Sequence, residues 1–69
     1  MENNPYLVEL GKSIRAARKA KKVSLQELSK QCKMDISNLC NVENGKKNVR
    51  FLTLKSIAEV LEIEVRDFF

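Results

Sequence analysis

Two helix-start signals stand close together near the middle of the chain, and their spacing leaves few folds open. Ser24 is followed three residues later by Glu27, a capping box. Its serine oxygen accepts from the amide at the third helical position while the glutamate reaches back. Asp35 is the second signal, a carboxylate able to satisfy the free amides of a turn beginning at Ile36. A helix begun at Ser24 must therefore be short, because Lys33-Met34 already lead into the next cap. The helix after Asp35 runs from about Ile36 to Asn44, with Leu39 and Val42 three apart on its buried side. Gly45 then supplies the left-handed conformation that commonly closes a helix.

The flanking segments supply the rest of a core. Leu7, Leu10, Ile14 and Ala17 recur at spacings of three and four, so a first helix is expected over about Tyr6 to Lys21 with Pro5 at its entry. Residues 1–5 have no periodicity and read as a frayed start, leaving 6–69 as one domain. Past the basic loop Lys46 to Arg50, the residues Phe51, Leu54, Ile57, Ala58 and Leu61 repeat in the same way and predict a fourth helix. Ile63 to Phe69 fit a turn and a last short helix. Two short helices joined by about three residues, the second rich in small polar side chains, form a helix-turn-helix arrangement.

Charge indicates what such an arrangement would meet. The net charge is +4, and its distribution is uneven. Lys12, Arg15, Arg18, Lys19, Lys21 and Lys22 crowd a stretch without acids, and Lys46, Lys47, Arg50 and Lys55 form a second cluster. Glu59, Glu62, Glu64 and Asp67 gather at the other end. A basic front and an acidic tail point to a polyanion approached from one side, above all nucleic acid. Catalysis has nothing to work with: there is no histidine, no paired nucleophile and base, and no glycine-rich phosphate loop. Cys32 and Cys40 are too few soft ligands for a structural zinc site and read as reduced, apolar side chains, so neither metal nor cofactor is expected. Short apolar runs exclude a membrane span or signal-peptide core, which makes a cytoplasmic protein the expectation.

The ordered pieces Leu10-Gly-Lys-Ser-Ile-Arg-Ala-Ala-Arg18, Val23-Ser-Leu-Gln-Glu-Leu28, Val42-Glu-Asn-Gly-Lys46, Leu54-Lys-Ser-Ile-Ala58 and Asp67-Phe-Phe69 resemble the Xre/Cro type of helix-turn-helix domain. That is the lambda-repressor-like, all-α DNA-binding fold of five helices. The likeness spans nearly the whole chain. It implies a transcriptional regulator, a small repressor or controller-like protein, whose third helix lies in the major groove. By the same resemblance the base-reading positions fall on Ile36, Ser37 and Asn41, with Asn38 and Cys40 flanking them. Asn41 suits an adenine edge, Ser37 either kind of base pair, and Ile36 a thymine methyl. Phosphate contacts would come from Ser24 at the start of the second helix and from Asn44, Lys46, Lys47 and Arg50. Arg18 and Glu43 match a family pair that joins the first helix to the end of the third, a brace rather than a DNA contact.

Four residues depart from the family pattern. Lys33 and Glu62 stand where glycines are frequent, Leu25 where a glutamine is frequent with Gln26 one step on, and Arg50 where a serine or threonine usually caps the fourth helix. A pseudo-palindromic double-stranded operator bound by a homodimer is the expected mode. Leu52, Ile63, Val65, Phe68 and Phe69 are the candidate pairing residues, being more apolar than a terminal helix needs for its own docking. A chain ending at Phe69 leaves no room for an effector domain, so no small-molecule effector is expected. The competing use of the same fold is a protein-interaction module or an antitoxin, for which a toxin would be the second partner.

Overall fold

The computed structural model describes residues 4–69 as four α-helices and one 3₁₀ turn. These are α1 (Pro5–Ala20), α2 (Leu25–Gln31), α3 (Ile36–Glu43), α4 (Phe51–Val60) and the 3₁₀ turn Val65–Phe68. The expected fifth helix is thus a single tight turn, which Asp67 closes by accepting from the Glu64 amide at 3.0 Å. Of the frayed start expected at 1–5, residues 1–3 lie outside the described residues. Asn4 is a helix cap, its Oδ1 accepting from the Tyr6 amide at 2.8 Å, and Pro5 stands at the expected helix entry, in the first turn, where its missing N–H costs nothing.

Each cap does its work locally. Ser24 Oγ accepts from the Glu27 amide at 3.0 Å, and Asp35 Oδ1 from the Ser37 amide at 3.2 Å. Only the serine half of the predicted box forms, with Glu27 left exposed. Arg50, in the place of a usual hydroxyl cap, gives α4 no side-chain capping bond.

All four α-helices end alike. After each, the amide of the first residue past the cap bonds back to the second-last helical carbonyl, and the next amide bonds to the carbonyl before that. The acceptor pairs are Lys19 and Arg18, Lys30 and Ser29, Val42 and Asn41, and Glu59 and Ala58. This is the Schellman closure, which requires a left-handed residue. Gly45 takes it at φ 74°, but Lys22, Lys33 and Glu62 take it at 60°, 56° and 60°. Lys33 and Glu62 therefore keep the backbone of the glycines they replace, at a cost of about 1 kcal/mol each; Lys22 is a third such site that the sequence did not announce.

Leu10, Ile14, Leu28, Leu39, Val42, Leu54, Ile57, Ala58, Leu61 and Phe68 form the core. Burying such side chains is worth about 1.5–3 kcal/mol each before chain entropy is counted. Two of the expected side chains exchange roles. Phe51, part of the predicted apolar stripe of α4, is 64% exposed, because the first turn of α4 extends past the edge of the core. Phe68, expected among the pairing residues, is only 3% exposed. The 3₁₀ turn rolls it inward against the core cluster, so it is unavailable to a partner.

Candidate nucleic-acid interface

The candidate interface is built around α3, an eight-residue helix; the diameter of a helix with its side chains, about 10–12 Å, fits a major groove about 12 Å wide. Leu39 and Val42 face inward, which leaves Ile36, Ser37 and Asn41 exposed and Asn38 and Cys40 half-buried on its flanks. The helix therefore separates what it packs with from what it presents. On the flank toward α2, a shallow cleft gathers Leu25, Ile36, Ser37, Cys40 and Asn41. Leu25, standing where a polar glutamine is frequent, makes that wall apolar. Gln26 lies outside this cleft, its carbonyl accepting from Ser29 Oγ at 2.7 Å.

Three contacts fix how α3 is held. Gly11 lets α1 approach α3 closely: a Cβ there would fall 2.4 Å from the Glu43 carbonyl oxygen and 2.6 Å from that of Val42. Gly45 likewise lies against Val8, whose Cα would be 2.6 Å from an added Cβ. The third contact is ionic. Arg18 Nε donates to Glu43 Oε2 at 2.8 Å and Arg18 Nη2 to Oε1 at 3.2 Å, while Nη1 donates to the Val23 carbonyl at 3.0 Å. The fork joins the end of α1 to the last residue of α3, and Glu43 is 8% exposed. A bidentate pair in that position sets the direction of α3 as well as its distance from α1. A further ion pair, between Lys21 and Glu62, ties the end of α1 to the turn after α4 and holds the Glu62 carboxyl below its usual value of 4.5.

The loop after α3 carries the cations. Lys46, Lys47 and Arg50 are all exposed, and none makes an ion pair among the described residues. Lys47 Nζ donates to Asn38 Oδ1 at 2.9 Å, a link from loop to helix for which the sequence held no signal. Asn44 turns back on α3, its amide donating to Cys40 Sγ at 3.6 Å. Ser24 caps α2 with its hydroxyl oxygen and exposes the helix start. Burial pushes the Cys32 thiol up, which makes it a packing residue. No helix among the described residues is long and apolar enough to cross a membrane.

The structure can be set beside known proteins. The helix-turn-helix family model HTH_3 matches residues 14–68. The restriction-modification controller protein C.AhdI from Aeromonas hydrophila is 35% identical, with a TM-score of 0.88 over 91% of this chain and 96% of that one. The clp gene regulator ClgR from Corynebacterium glutamicum is 28% identical, with a TM-score of 0.91 over 97% of this chain and 86% of its own. SinR, a master regulator for biofilm formation solved in complex with DNA, is 28% identical, with a TM-score of 0.81 over 86% of this chain and 95% of its own. Comparison with curated proteins finds no match. With the family model covering most of the sequence and a controller protein matching nearly end to end, the chain belongs to the HTH_3 helix-turn-helix family.

Proposed function

We propose that this protein is a DNA-binding transcriptional regulator that recognises a pseudo-palindromic operator as a homodimer, with α3 in the major groove. The observation that carries the reading is the division of α3 and its loop. Ile36, Ser37 and Asn41 stand exposed on the helix, beside a loop whose Lys46, Lys47 and Arg50 make no ion pair among the described residues. Side chains of the first set suit base edges and those of the second suit phosphates. The frame shared with a restriction-modification controller, a gene regulator and the DNA-bound SinR supports the same reading.

Exposed apolar side chains on α4 and at the C-terminus support pairing of two copies. Leu52 is 74% exposed and Phe69 83%, and Phe51 shares a groove with Ile63 and Val65. Apolar side chains so placed favour association, and Phe51 takes the place in the pairing set that Phe68 vacates. Two recognition helices carried by a dimer would meet half-sites about one helical turn apart.

A salt titration on a mixed-sequence duplex tests the electrostatic half. The logarithm of the association constant should fall linearly with that of salt, with a slope of about −0.9 per phosphate neutralised. Lys46→Ala and Arg50→Ala should each make that slope shallower. Binding that ignores salt, or no binding at low salt, would remove the proposal.

A further inference from the structure

Asn38 lies on the flank of α3 turned toward the loop, in a cleft with Met34, Val42, Lys47, Arg50 and Thr53. Its amide could in principle point either way. Lys47 decides the matter, because Nζ sits 2.9 Å from one branch of the amide and an ammonium has only protons to offer. The branch facing it is therefore the oxygen, and Nδ2 takes the other side. Once this bond is made, Asn38 keeps two amide protons and Lys47 keeps two ammonium protons, with the Arg50 guanidinium in the same cleft. Asn48 also lines the cleft, but its Oδ1 already accepts from the Val49 amide at 2.8 Å, so around Asn38 donors outnumber acceptors.

A free asparagine pairs with adenine by accepting from N6 while donating to N7. Here one lone pair of the oxygen is taken and the Lys47 ammonium stands beside it, so an adenine amino group reaching for the remaining lone pair would be brought up against a cation. Guanine offers O6 and N7, both acceptors, to the same edge. We infer that Lys47 and Asn38 act as one composite donor that selects guanine over adenine at one position of each half-site, in the manner of a single arginine fork. Asn38 is the specificity-determining residue and Lys47 the group that sets its polarity. The last Lys47 proton is free for a phosphate, so the bond also links base reading to backbone contact. The inference rests on the reading that α3 enters the major groove.

Selection of bound sequences from a random duplex pool, run side by side for the wild type, Lys47→Met and Asn38→Asp, tests it. Neither side chain belongs to the buried core, so both variants should fold, which matched far-ultraviolet circular dichroism would establish. The wild type should enrich guanine at one position per half-site. In Lys47→Met the ratio of guanine to adenine at that position should fall about tenfold, with the other positions unchanged. Asn38→Asp keeps the acceptor for Lys47 but loses the amide donors, and its preference there should move to cytosine. A Lys47→Met protein that weakens on every sequence alike, with the guanine preference intact, would make Lys47 a phosphate contact alone and overturn the inference. So would a wild type that enriches sequences without guanine preference at any position sensitive to Asn38. A wild type that enriches no sequence at all would overturn the major-groove reading itself, and the inference with it.

Discussion

Glu43→Ala removes the carboxylate that receives the Arg18 fork. Two charge-assisted bonds are lost, at 2.8 and 3.2 Å, and the guanidinium keeps only the Val23 carbonyl as an acceptor. Solvent reaches little of the pair, since the Arg18 and Glu43 side chains are 12% and 6% exposed. Screening is weak there, and a charge left unpaired in such surroundings costs about 3 kcal/mol. A domain of this length has a total stability of roughly 3–10 kcal/mol, so the change removes a third of it or more. With a urea slope of about 1 kcal/mol per molar for so short a chain, the unfolding midpoint should fall by about 3 M. In a thermal melt the same change corresponds to a drop of about 12–24 °C. Glu43→Gln, which keeps a neutral acceptor for the fork, should lose less. Replacing the pair together, as Arg18→Met with Glu43→Leu, should recover much of the loss because no charge is stranded. An unmoved midpoint in Glu43→Ala, together with weakened DNA binding, would refute the reasoning and make Glu43 a DNA contact instead of a brace.

Other changes test the surrounding frame. Gly11→Ala places a Cβ within 2.4 Å of the Glu43 carbonyl oxygen, which forces α1 and α3 apart at a cost of about 1–3 kcal/mol, read as a lower melting temperature. Lys33→Gly relieves a left-handed lysine at φ 56° and should stabilise by roughly 0.5 kcal/mol, the relief being partly offset by the entropy glycine adds to the unfolded chain. Lys21→Met tests the pair with Glu62, whose carboxyl titrates below its usual 4.5 chiefly through the Lys21 hydrogen bond. A depressed carboxylate stabilises the fold above its unfolded pKa and loses that contribution as pH falls through the folded one. The stability gap between wild type and Lys21→Met should thus be full at neutral pH and close on acidification below about 4.5, as denaturant melts at several pH values would record.

How far the sequence carried these conclusions depends on the range of each interaction. Ser24, Asp35 and Gly45 act within a few residues of themselves, so the start of α2 and both ends of α3 were legible from caps alone. The stripes through Leu10 and Ile14 and through Leu54, Ile57 and Leu61 marked the core for the same reason. Phe51 and Phe68 were exchanged because periodicity gives the face of a helix but not where the neighbouring helices stop covering it. The cap at Asn4 is legible only together with Pro5, which marks the helix start. Lys22 carries no mark of its φ of 60°, since lysine is an ordinary helix residue and only the bonds of the Schellman closure reveal it. The bond between Lys47 and Asn38 crosses a non-helical loop, where no spacing rule applies, and could emerge only from coordinates.

Whether α3 reads a two-fold operator is decided by selection of wild-type binders from a random duplex pool at near-physiological salt. One enriched pseudo-palindrome is expected, its half-sites about 34 Å apart, one helical turn. Ala substitution at Asn41 should change the enriched bases symmetrically in both halves. A pool that emerges unenriched, or an enriched motif that Asn41→Ala leaves unaltered, would contradict that role of α3.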